Sequence, residues 1–207
     1  MSGEYIVYGA KGTGSVLAEA ALTLLDIPFR YADAVSWDDE EGPTEALAAV
    51  NPMRQLPALI LPGGELMTES AAILIWLADD HPEARLAPTM AAAARPAFLR
   101  WMSFVSASIY SLYWIRDDPS RVADTESGQA LVRERTRERI LDCWRIMDAQ
   151  VDPARYILGD DLSVLDLYVT VLSRWGPRRA RFYEVAPKMA KVVRRVDADP
   201  RLTTFWA

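Results

Sequence analysis

Strand-type and helix-type runs alternate up to about residue 83, and only helix-type runs follow. Few architectures accept such a change of character. Residues 4–8 (EYIVY) are rich in β-branched and aromatic side chains and stop at Gly9, which predicts a strand. Residues 15–25 predict a helix closed by Asp26-Ile27-Pro28. A second strand is predicted over 29–35 and a short helix over 44–50, ending before Asn51-Pro52. Residues 58–61 and 65–67 flank Pro62-Gly63-Gly64, a hairpin signal, and 69–78 read as a buried helix. The order βαβαββα implies an α/β domain with one parallel crossover and an antiparallel edge.

The expected boundaries are an α/β domain over residues 1–82, a proline-punctuated linker over 83–89 and an all-α domain over 90–207. In the second part Phe98, Trp101, Val105, Ile109 and Leu112 recur at helical spacing within 90–114. Residues 126–151 predict a long helix with mixed charge on one side and Leu131, Ile140, Cys143, Trp144 and Met147 on the other. A third helix starts at Ser163-x-x-Asp166 and runs to about 175, and a fourth spans 187–197.

Composition excludes several classes. The 207 residues carry 23 Lys and Arg against 29 Asp and Glu, a net charge of -6, so the basic field of a nucleic-acid binder is missing. No apolar run approaches the roughly 20 residues that cross a bilayer, and no secretory leader is read at the start, so no membrane partner is expected. One cysteine forms no intrachain disulfide, and reducing cytoplasm is the expected compartment. A single Cys and a single His leave no metal cluster to expect. Gly12-Thr13-Gly14 lacks the Lys-Ser/Thr of a phosphate loop.

Three features carry chemistry. Leu56-Pro57 precedes a strand, where a proline suits a first strand position or a cis bond in a tight turn. A cis bond turns the Leu56 N–H and C=O outward, where an extended peptide pairs as an added strand. Glu69-Ser70 opens a helix: first-turn N–H groups and the Ser70 hydroxyl suit a carboxylate, and Glu69 accepts from an ammonium. Together they suit the zwitterionic end of an α-amino acid. Ser15 starts the first helix after Gly12-Thr13-Gly14, where a hydroxyl and the helix dipole stabilise a thiolate.

With these residues in place, the segment from Asn51 to Ile73 resembles the glutathione-binding domain of glutathione transferases, and the resemblance extends over nearly the whole chain. It implies a thioredoxin-like N-terminal domain, an all-α C-terminal domain, a homodimer and glutathione as co-substrate, without metal. Carried over residue by residue, it implies that the Leu56 backbone binds the cysteinyl part, with Pro57 cis. Glu69 and Ser70 then hold the γ-glutamyl end, and Arg54 and Gln55 lie near the glycyl carboxylate. Against the bacterial beta class, Gly14 stands where that class has its Cys, so the chain departs from beta-class chemistry. Ser15 is the expected thiol-activating group, with Thr13 and a backbone N–H as alternatives. Tyr110 and Ser111 fall where the class has a His-Lys pair; Tyr110 is expected beside the sulfur or in the second-substrate pocket. Tyr110, Tyr113 and Trp114, with Trp175 and Phe182, are the aromatic candidates for an apolar electrophile cleft between the domains.

Plainer readings stand beside these. Ser15 caps its helix, Glu69-Ser70 is a favourable helix start, and Cys143 is a buried inert thiol. His81 makes a surface contact at a helix end, and Ser163-Asp166 is purely structural. The expected activity is glutathione S-transfer to an apolar electrophile. Its rivals are a glutathione-dependent peroxidase, isomerase or reductase on the same scaffold, or a non-catalytic ligand-binding or protein-interaction module.

Overall fold

The computed structural model describes residues 3–36, 42–43, 45–176 and 179–206. The chain divides into two compact units, Met1–Ala87 with Asp199–Ala207, and Pro88–Ala198.

In the first unit β1 (Tyr5–Gly9) is the central strand. It pairs in parallel with β2 (Phe29–Asp33) after the crossover helix α1 (Ser15–Leu24). On its other side it pairs antiparallel with β5 (Ala58–Ile60), which pairs antiparallel with β6 (Leu66–Met67), giving the order β2-β1-β5-β6. The predicted second strand ends early. Ala34 still donates to Gly9 O, and β3 (Val35–Ser36) then peels away to pair with β4 (Gly42–Pro43) in a separate two-stranded sheet. The helix expected over 44–50 is α2 (Glu45–Val50); Thr44 lies outside the described residues. The last helix of the unit, α3, runs Ser70–Asp80.

Strand alternation sorts the side chains. Tyr8 and Ala58, directly paired, face Leu47 and Val50 of α2, with Ala34 and Leu56 in the same cluster. Val7 and Leu59, on the opposite face, are fully buried, as are Leu17, Ala21 and Leu22 of α1 and Ile73, Leu74 and Leu77 of α3. The α1 helix ends on Asp26 at φ 56°, where the Ile27 N–H reaches back to Leu22 O. This is the thioredoxin-like arrangement expected.

The second unit is helical. A single rod is built from α4 (Arg95–Val105), a π-helical turn (Ser106–Tyr110) and α5 (Ser111–Asp117). It begins five residues later than expected because Pro96, lacking an N–H, belongs in a first helical turn. The long helix α6 (Glu126–Gln150) is capped by Thr125, whose Oγ1 accepts from the Gly128 N–H at 3.2 Å. Its buried stripe runs Thr136, Ile140, Cys143, Trp144, Met147; Leu131, expected inside, is 52% exposed because the stripe starts only at Thr136. Every residue of α7 (Val164–Leu172) is buried. A short helix not anticipated, α8 (Arg179–Val185), precedes α9 (Pro187–Asp197).

Asp166 holds α7 in place. Its Oδ2 accepts from the Ser163 N–H at 2.8 Å and the Ser163 hydroxyl at 2.6 Å, and its Oδ1 from the Ile157 N–H at 2.8 Å. Complete burial outweighs these three donors and pushes its carboxyl up to about 6. Asp148 of α6 likewise accepts from the Met189 N–H at 2.8 Å and so caps α9. Among the described residues no helix is long and apolar enough to cross a membrane.

Candidate functional site

Asn51 organises the segment that leads into β5. Its buried amide donates to Gln55 O at 2.9 Å and accepts from the Met53 N–H at 3.1 Å, while Arg54 N–H reaches Asn51 O. The loop closes over one side chain, with Arg54 at φ 52°. Arg54 and Gln55 are thereby held exposed, Leu56 is half-buried against the α2 cluster, and Pro57 is buried. The Leu56-Pro57 bond is cis. In the sequence the Asn51-Pro52 step signals only a helix stop, and nothing local marks Asn51 as a positioning residue.

At the other end of the β5–β6 hairpin, Glu69 occupies φ 66°, ψ 105°, a region costly for any side chain, immediately before α3. Glu69 is exposed and Ser70 is buried. An acidic side chain is thus fixed against its backbone preference beside the first-turn N–H groups of a helix, an arrangement that suits an ammonium and a carboxylate side by side.

Ser15 has a different setting from the one expected. It is fully buried, and its hydroxyl donates to Glu19 Oε1 at 2.8 Å, one turn along α1. Gly9 makes room for it: a Cβ there would stand 2.5 Å from Ser15 Oγ. Gly14 is the N-cap of α1, with no side-chain cap of its own, and the Ser15 N–H reaches Thr13 Oγ1 at 3.4 Å. Thr13 is partly exposed; its Oγ1 lies 2.7 Å from Ala10 O and 3.2 Å from Ser15 Oγ. Burial pushes the Glu19 carboxyl up, opposed by the Ser15 hydrogen bond.

In the helical unit, Tyr110 closes the π-helical turn and is half-buried, its ring edge-on to Trp175 at 5.2 Å and Tyr168 at 6.1 Å. Tyr113, a turn further on, is buried, and its hydroxyl donates to Leu172 O at 3.1 Å. Burial raises that phenol well above its ordinary value. Tyr113 therefore supports the aromatic cluster rather than offering a hydroxyl to a pocket. Trp114 is 48% exposed beneath the Arg121 guanidinium, 4.6 Å away. Phe182 packs edge-on to Trp144 in the core. The Ser111 hydroxyl turns back to Ala107 O. Cys143 is buried, donates to Ser108 O, and has its thiol pushed up by burial. His81 sits 3.6 Å from both Asp80 and Glu83 at the end of α3.

A thioredoxin-like unit with a cis-Pro turn and a strained acidic residue opening its last helix, followed by an all-α unit, has the architecture of a glutathione transferase. Comparison with known proteins agrees. Residues 18–80 match the glutathione S-transferase N-terminal domain. The uncharacterized GST-like protein YncG of Escherichia coli K12 is 32% identical over 196 residues, covering 95% of this chain and 94% of that one. Glutathione S-transferase GstA of Escherichia coli O157:H7 is 27% identical over 62% of this chain and 60% of its own. A glutathione transferase homologue from Sulfitobacter, solved with bound glutathione, has the same fold with a TM-score of 0.86 at 22% identity, covering 99% of this chain and 97% of that one. The chain belongs to the glutathione S-transferase family.

Proposed function

We propose that the protein is a glutathione transferase that activates the thiol of glutathione for attack on an apolar electrophile. The observation that carries this reading is Glu69 held at positive φ beside the buried Ser70 at the start of α3. Such strain persists only where the surroundings impose it, and it concentrates at ligand sites. Glu69 accepts from the γ-glutamyl ammonium, while Ser70 and the first N–H groups of α3 hold the carboxylate. The Leu56 backbone pairs with the cysteinyl residue, and the exposed Arg54 and Gln55 face the glycyl end. The sulfur comes to the start of α1, where the helix dipole favours the thiolate and Thr13 is the outermost hydroxyl. A free thiol has a pKa of about 8.5, so lowering it by one unit raises the thiolate fraction at neutral pH by nearly tenfold. The thiolate then forms the S–C bond as the leaving group departs, or adds across an activated double bond. Tyr110 and Trp175 are the aromatic surfaces proposed for the electrophile. A cytoplasmic homodimer with a detoxifying role accompanies this reading.

An isomerase on the same glutathione site is the second reading. The maleylpyruvate isomerase of a Ralstonia species is 37% identical over 68 residues, though over only 33% of this chain and 31% of its own. Mixed-disulfide reduction has no support: the one cysteine is buried in the helical unit. Calorimetry with millimolar glutathione, followed by conjugation of a chlorinated nitrobenzene, tests the proposal. Binding with turnover is expected. Absence of heat removes the site assignment, and binding without conjugation but with isomerisation favours the second reading.

A further inference from the structure

Three side-chain oxygens stand in line behind the start of α1. Thr13 Oγ1 lies 3.2 Å from Ser15 Oγ, and Ser15 Oγ donates to Glu19 Oε1 at 2.8 Å. Thr13 is partly exposed, Ser15 is fully buried, and Glu19 is half-buried. An ionised carboxylate only accepts, so Glu19 fixes the polarity of the line. The Ser15 proton goes to Glu19 at 2.8 Å in preference to Ala10 O at 3.4 Å, which leaves a Ser15 lone pair for Thr13. The Thr13 proton has two inward acceptors, Ser15 Oγ and Ala10 O at 2.7 Å. One Thr13 lone pair accepts from the Ser15 N–H at 3.4 Å, and either choice leaves the other on the outermost oxygen. The contact from the Ser15 N–H to Thr13 Oγ1 is cap-like, but capping does not account for the Ser15–Glu19 bond, because a capping hydroxyl accepts from backbone N–H groups. Ser15 spends its proton on a carboxylate, and α1 has no side-chain cap.

We propose that Glu19 is the remote proton acceptor for the glutathione thiol, reached through Ser15 and Thr13. This rests on the placement of the sulfur at the start of α1 argued above. In the forward step the S–H bond breaks and its proton forms an O–H bond on Thr13 Oγ1. The Thr13 proton passes to Ser15 Oγ, and the Ser15 proton to Glu19 Oε1. The products are a thiolate and a neutral carboxylic acid, with no change in total charge and no redox partner required. The polarity of the line is now reversed: Glu19 donates to Ser15, Ser15 to Thr13, and Thr13 to the thiolate. The groups that take the proton away thus become the donors that hold the anion. After the S–C bond forms, the acid returns its proton along the same line to the leaving group or to water. Burial raises the Glu19 carboxyl, opposed by the hydrogen bond from Ser15, and so favours its taking up a proton. The titratable groups near it on β2 are Tyr31 and Asp33; burial first, then the charges of Glu19 and Asp33, push the Tyr31 phenol up. Glu19 acts through Ser15 and is a positioning residue for the thiol chemistry.

Glu19→Gln keeps the size of the side chain and an acceptor for Ser15 but takes no proton. Ultraviolet titration of the bound thiolate is expected to show the thiol pKa raised by about one unit in this variant, with kcat lowered about tenfold near neutral pH. Glutathione affinity by calorimetry should change by less than about twofold, since Glu19 touches no part of the ligand. Glu19→Asp should recover part of the wild-type titration. A thiolate titration in Glu19→Gln that superimposes on the wild type overturns the relay. If that variant does not fold, a proton inventory of the wild type in mixed light and heavy water decides: a curved dependence is expected for several protons in flight, and a linear one overturns the proposal. No glutathione binding by the wild type would overturn both the site assignment and the relay, whereas normal binding with an unshifted thiol overturns the relay alone.

Discussion

Glu69 shows at the scale of one residue how binding and stability pull apart. Glycine adopts φ 66° without a Cβ penalty, whereas glutamate at that backbone conformation costs about 1–3 kcal/mol. Glu69→Gly should therefore stabilise the protein by about 1 kcal/mol after the larger unfolded-state entropy of glycine is subtracted. The same change removes the acceptor for an ammonium, so glutathione affinity should fall about tenfold or more. Thermal unfolding and calorimetry on one preparation check both halves; a variant that is less stable, or that binds glutathione unchanged, contradicts the account. Asn51→Ala tests the neighbouring loop. It removes the bonds to Gln55 O and Met53 N–H, so KM for glutathione should rise several-fold with kcat nearly constant, and stability should fall by about 1–2 kcal/mol. A kcat loss larger than the KM change would place Asn51 in the chemistry instead. Leu56, Pro57, Glu69 and Ser70 were legible in the sequence because each announces itself locally, by a proline at a strand start or an acidic residue at a helix start. The roles of Asn51 and Glu19 were not. Both close a contact four residues away, Asn51 across a loop and Glu19 across a helical turn, and no local signal marks either contact.

The elements follow the same division. Helices α1, α3, α6 and α9 were readable because periodic apolar residues and their stop signals coincide, and the βαβαββα order followed from the alternation itself. The two-residue strands β3 and β4 were not readable, since two residues display no period. Helix α8 escaped for a similar reason: seven residues, RARFYEV, bury only Phe182, and its charged remainder gives no stripe. The cap of α9 comes from Asp148, 41 residues before Met189, which local sequence cannot disclose. Asp148→Ala should cost about 1–2 kcal/mol, the usual range for a lost helix cap. Glutathione binding should stay as in the wild type, because Asp148 and Met189 lie outside the candidate site. Urea unfolding with calorimetry separates the two, and a variant of unchanged stability would deny Asp148 its capping role.

At the scale of the whole molecule, the pH dependence of stability turns on Asp166. Its carboxyl sits at about 6 in the folded chain, against about 3.9 for an unperturbed aspartate. The folded state therefore holds this proton more tightly than the unfolded state. Below about pH 4 both states are protonated and Asp166 adds no pH dependence. Between about pH 4 and 6 the unfolded chain releases its proton first, so stability falls as pH rises, by up to about 3 kcal/mol in all. Above about pH 6 the full cost stands. Desolvation is the first cause of the shift, and the three donors from Ile157 and Ser163 reduce it without reversing it. Asp166→Asn removes the titration while leaving the amide N–H₂ to confront donors that faced an oxygen, so the variant is less stable throughout. Its deficit relative to the wild type should be largest near pH 4 and should shrink toward pH 7, because the wild type loses stability across that window and the variant does not. Urea unfolding of both proteins at the two ends of the window measures the difference. A deficit that grows with pH would mean that the donors hold the carboxylate against its burial, and that Asp166 steadies α7 as an anion rather than as an acid.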